Sequence, residues 1–96
     1  MGPLTDQLIE SLDKLIEILE EDGDKHWSHW LRESKRLIQA EDFRGVEKFL
    51  GAFGGMGSFN DFQLSTIGRS NESFSKLQSS SYTLAEEIKR SYESST

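Results

Sequence analysis

Ninety-six residues with a formal net charge of −6, 34% apolar side chains and no cysteine describe one small domain. A chain of this length buries only about two-thirds of the surface its unfolded form exposes, so every large apolar side chain counts toward stability. The lack of cysteine excludes a disulfide framework, a thiolate metal site and a cysteine nucleophile.

The charge is unevenly spread. Residues 1–24 carry eight acids and one base, residues 25–50 carry six bases and four acids, and the remainder is nearly balanced. A field of that sign repels nucleic acid and attracts basic partners. The opening Met1-Gly2-Pro3-Leu4-Thr5-Asp6 has no basic stretch followed by an apolar run, and no later run approaches a membrane span. The expectation is a cytoplasmic protein that binds neither membrane nor nucleic acid.

Apolar residues at 4, 8, 12, 15, 16 and 19 recur at helical spacing and predict a first helix over 4–19. Thr5 or Asp6 is its expected cap, Glu10 and Lys14 form an i, i+4 pair, and Gly23 supplies a left-handed stop. A second helix is expected over 25–40 with Asp24 as N-cap and with Trp27, Trp30, Leu31, Leu37 and Ile38 on one face. Ser34 completes that face, and its small side chain admits a closely packed neighbour. A third helix is expected from Asp42, burying Phe43, Val46, Phe49, Leu50 and Phe53 and ending at Gly54-Gly55.

Periodicity is lost over 57–72, where turn-forming Ser, Asn, Asp and Gly predominate, and a single turn over 59–64 capped by Ser58 is predicted there. It returns with Phe74, Leu77, Ser81, Leu84, Ala85, Ile88 and Tyr92, which share one face of a last helix of three to five turns. The serine run 79–81 blurs its start, and 93–96 should fray. The expected architecture is all-α: residues 1–96 as a single domain, a small antiparallel bundle of about four helices. A Gly/Phe-rich loop between the third and fourth helices closes one end.

Four stretches could carry chemistry. The loop Phe53, Gly54, Gly55, Gly57, Phe59 and Asp61 resembles an anion cradle in its glycines, but no Gly-Lys-Ser/Thr follows and no strand precedes it. A tight reversal beneath three phenylalanines is the favoured reading. His26, His29 and Glu33 fall within one helical quadrant and could face a divalent ion, although three potential ligands without a second cluster make a thin site. Trp27 and Trp30 could form an exposed platform, yet they share the stripe of Leu31 and Ile38 and are better placed in the core. No serine occupies a Gly-x-Ser-x-Gly elbow, so no catalytic residue is assigned and no enzyme or cofactor is expected.

The acidic end of the first helix breaks a local rule. Glu17, Glu20, Glu21 and Asp22 crowd the last turns, where the macrodipole disfavours each anion by about 0.3–1 kcal/mol. With Asp24 they offer a negative surface to a basic partner, unless Lys25, Arg32 or Lys35 of the second helix neutralises them.

The stretches Gly23-Asp24-Lys25-His26-Trp27-Ser28-His29-Trp30-Leu31 and Phe53-Gly54-Gly55-Met56-Gly57-Ser58-Phe59-Asn60-Asp61 resemble a family of small bacterial helical proteins of unassigned function, over roughly residues 8–92. The resemblance implies a bacterial, single-domain helical protein and no catalytic residues. Size and charge are also similar to those of toxin-immunity proteins. The function expected is therefore a protein-binding module of immunity or antitoxin type, which occludes a basic toxin or effector with Glu17, Glu20, Glu21, Asp22 and Asp24. A small-ligand or divalent-metal binder, using the histidine helix or the glycine loop, and a homo-oligomeric structural protein are the alternatives; the oligomeric state is left open.

Overall fold

The computed structural model describes residues 2–54, 59, 62 and 69–94. The first helix, α1 (Pro3–Asp22), starts earlier than its apolar stripe suggests. Proline occupies its first turn behind an extended Gly2, whose carbonyl accepts the Asp6 N–H at 3.2 Å. The fixed φ of proline suits this position, where its missing N–H costs nothing. The expected caps at Thr5 or Asp6 are thus corrected: both lie inside the helix, and Thr5 is buried. At the other end Gly23 adopts φ +85°, and the Asp24 N–H reaches back to the Leu19 carbonyl at 3.0 Å.

Asp24 then begins α2 (Lys25–Gln39), its carboxylate accepting the Trp27 N–H at 2.7 Å. The third helix, α3 (Arg44–Leu50), starts two residues later than expected. Asp42 stays outside it and uses Oδ1 to accept the Arg44 N–H at 3.0 Å, while Glu41 takes φ +60° to make the reversal from α2. The helix ends at Leu50 rather than at Gly54. Tighter turns carry the chain onward to Phe53, whose N–H meets the Leu50 carbonyl at 3.1 Å, and Gly54 has φ +91°. A further turn closes from the Phe62 N–H to the Phe59 carbonyl at 3.1 Å, within the expected 59–64 segment. Gly55, Gly57, Asp61 and Ser58 lie outside the described residues.

The last helix, α4 (Arg69–Ser94), has 26 residues, about seven turns instead of three to five. Its serine run is helical because Phe74, Gln78, Ser81 and Ala85 form one continuous buried face across it. Burial of that face outweighs the propensity deficit of a few tenths of a kcal/mol per serine.

The four helices form a small antiparallel bundle, α1 packing on α2 and α4, and α3 bridging α2 and α4 on the other side. Leu8, Leu12, Leu15 and Leu19 of α1 are fully buried against Leu31 and Ile38 of α2, Phe49 of α3 and Ala85 of α4 within one core. Two features fix α3. Gly45 lies so close to α2 that a Cβ there would sit 2.6 Å from the Ser34 carbonyl oxygen and 2.7 Å from Ile38, the close approach that Ser34 anticipates. Ring pairs Phe43–Tyr92, stacked at 4.0 Å, and Phe53–Tyr82, edge-on at 4.9 Å, tie the two flanks of α3 to α4 in antiparallel register.

Candidate functional site

Negative charge is left over at the end of α1. Arg32 of α2 pairs with Glu20 and Lys35 pairs with Asp13, while Lys25 at the start of α2 makes no ion pair among the described residues. Glu10 takes Lys14 at 3.8 Å along the same helix. Asp24 is committed to the Trp27 N–H, and Asp22 also has a partner within the chain. Glu17 and Glu21 are exposed, one turn apart, and make no ion pair among the described residues. The last turn of α1 contains no base. The five acids therefore divide: Glu17 and Glu21 project unmatched charge, Glu20 and Asp24 also hold the α1–α2 corner together, and Asp22 has a partner of its own.

His26, His29 and Glu33, the residues of the alternative metal reading, are not brought together as a set of three ligands. Glu33 is held by Arg36, whose Nε donates at 3.0 Å, and His26 lies edge-on to Trp27 with ring centroids 4.6 Å apart. Among the described residues no three His, Asp or Glu side chains converge. The tryptophans are core residues. Trp27 is 9% exposed, and half-buried Trp30 donates Nε1–H to the Lys48 carbonyl at 2.9 Å beneath the Lys48 ammonium, 4.3 Å from its ring.

The Gly/Phe loop is organised by Phe59, which is fully buried although it belongs to no long helix. Its ring lies 5.1 Å from Trp27, 5.5 Å from Phe53 and 5.7 Å from Phe74. Its N–H donates to the Ala52 carbonyl at 2.7 Å, and its own carbonyl accepts from Nε2 of buried Gln78 at 2.8 Å. Beside it Phe53, Gly54, Gln78, Ser79, Tyr82 and Thr83 line an open cleft of about 550 Å³. Glu86 raises the Tyr82 phenol above its ordinary pKa, first by accepting its hydrogen bond and then by its charge.

Sequence reasoning missed Gln78 and Gly45. Gln78 falls four residues after Phe74, on the buried face, but a polar residue there reads as a break in the stripe. A glycine in the middle of a short helix was the available signal for Gly45, since glycine there costs about 1 kcal/mol unless something needs the space.

A family model described as a domain of unknown function (DUF6966) matches residues 20–72, from the acidic end of α1 through α2, α3 and the loop to the start of α4. No curated protein and no solved structure matches the chain. Among the described residues no helix is long and apolar enough to cross a membrane.

Proposed function

The chain belongs to the DUF6966 family, and we propose that it is a bacterial protein-binding module of immunity or antitoxin type, which occludes a basic toxin or effector with the acidic end of α1. The observation that supports this reading is the unmatched pair Glu17 and Glu21, which remains after Arg32 and Lys35 have been used on Glu20 and Asp13. Anions at a helix C-terminus do nothing for the helix, and attraction of a basic partner gives them a role. Glu20, Asp22 and Asp24 complete the surface, Glu20 and Asp24 while also serving the corner. Such a field accelerates encounter with a basic partner, and the buried centre of the interface sets how long the complex lasts.

The test is association of the Glu17→Lys/Glu21→Lys double variant with a basic protein captured by the wild-type chain from native lysate, followed at two salt concentrations. The expected result is an association rate reduced about tenfold at low salt, with wild-type binding converging on the variant as salt rises. Equal rates for the two proteins at low salt would overturn the reading.

A further inference from the structure

We propose that the cleft between the Phe53 turn and α4 is a binding site for a neutral saccharide of one or two pyranose units. It encloses about 550 Å³, a volume suited to a small molecule, and its walls combine two aromatic rings with a row of uncharged hydrogen-bonding groups. No charged side chain lines it, although 29% of the chain is charged, so a phosphorylated or carboxylated ligand would find no counter-charge there.

Two adjacent rows on α4 supply the chemistry. Ser75, Ser79 and Thr83 stand four residues apart along one edge of the helix, and Gln78 and Tyr82, likewise four apart, form the row beside them. The three hydroxyl residues are exposed: they lower helix propensity and bury nothing, and a ligand gives them a role. Among the described residues the Ser75 and Ser79 hydroxyls have no partner, and Thr83 donates to the Ser79 carbonyl at 3.1 Å, which leaves its lone pairs open. Gln78 is pinned through Nε2 to the Phe59 carbonyl at 2.8 Å, so its Oε1 is held in a fixed direction with no donor among the described residues. Donors and acceptors placed side by side match the vicinal hydroxyls of a sugar, each of which donates and accepts at once.

The Tyr82 ring provides the other half of the site. It is 37% exposed, one of two large side chains with an apolar body left in water among the described residues, and Phe53 steadies it edge-on at 4.9 Å. The negative face of an aromatic ring attracts the slightly positive C–H hydrogens on the apolar face of a pyranose. The cleft shares no residue with the acidic end of α1, so its test is independent of the proposal above.

The experiment titrates the isotope-labelled full chain with glucose, galactose, mannose, N-acetylglucosamine, cellobiose and maltose at millimolar concentration, followed by amide chemical shifts. At least one sugar is expected to move the Gln78 side-chain amide together with the backbone amides of Ser75, Ser79 and Thr83, and to exchange saturation with the Tyr82 ring protons. A response confined to the disaccharides assigns the site to the end of a glycan, and one that includes the monosaccharides assigns it to free sugar; both support the proposal. Tyr82→Ala should weaken the best sugar about tenfold, while Tyr82→Phe, which keeps the ring, should stay within about twofold. Ser79→Ala should weaken it roughly three- to fivefold with a melting temperature unchanged or raised, which separates a lost ligand contact from a damaged helix. If Tyr82→Ala does not fold, Ser79→Ala alone decides. Absence of these shifts with every sugar overturns the proposal, as does a response unaffected by the alanine variants. Tighter binding of glucuronate than of glucose would overturn it too, since charge would then be what the cleft selects.

Discussion

Two fully buried serines show how one residue type contributes in opposite directions. Ser34 donates its hydroxyl to the Trp30 carbonyl at 3.0 Å, whereas Ser81, equally enclosed on α4, has no hydrogen-bond partner for its Oγ among the described residues. An unsatisfied buried hydroxyl costs about 1–3 kcal/mol, and alanine fits the same space with better helix propensity. Ser81→Ala should therefore stabilise the protein by about 1 kcal/mol, and Ser34→Ala should be neutral or destabilise it by about 0.5–1 kcal/mol, both read from urea midpoints at unchanged slope. Gly45→Ala tests the close approach of α3 to α2. In an open helix that change stabilises, but here the new methyl would meet the Ser34 carbonyl at 2.6 Å, and a loss of about 1–3 kcal/mol is expected in the same measurement. Asp42 gives a pH-dependent case. Hydrogen bonds from the Arg44 side chain and backbone, with the charge of Arg44 behind them, hold its carboxyl below the usual range. A depressed folded-state pKa adds stability above the unfolded value of about 3.9, and that stability disappears as pH falls through the folded one. The stability gap between wild type and Asp42→Asn should accordingly be constant from pH 7 to about 5 and close on further acidification.

Among the elements, α1 and α4 contrast in what their sequences disclose. The α1 stripe repeats leucine at helical spacing and is ended by a glycine at φ +85°, so its course follows from the local pattern alone. Its unfavourable feature is electrostatic. Glu17→Lys/Glu21→Lys relieves two anions at the negative end of the macrodipole, and the melting temperature should stay the same or rise, in contrast to the loss of association expected for the same variant. A fall in melting temperature would mean that these acids serve the fold. For α4 the reverse holds. Ser79, Ser80 and Ser81 are poor helix formers, and Gln78 interrupts the apolar pattern, yet helix runs through all four. Its length is set by contacts that the local sequence does not contain: the α1 core on one side and the Phe43 and Phe53 rings on the other. The start of α3 was displaced for a similar reason. Asp42 fits a cap by residue type, but it caps from one position further out, with Glu41 at φ +60° turning the chain.

At the scale of the whole molecule, four helices measure 44 × 23 × 20 Å, and α2 and α4 meet, through Trp27 and Phe74, on one aromatic residue contributed by the connection between α3 and α4. Composition, helical spacing and the glycine stop determined the all-α class, the four helices, the burial of the tryptophans and the acidity of α1, because each depends on neighbours within a turn or two of the chain. Tertiary structure alone decided which acids remain unmatched, since Arg32 and Lys35 reach Glu20 and Asp13 only across the α1–α2 contact. It also brought Gln78 onto the carbonyl of a residue nineteen positions away. Side-chain charge and hydrogen-bonding capacity are written in the sequence; their partners are set by through-space distances, which only the packed helices define.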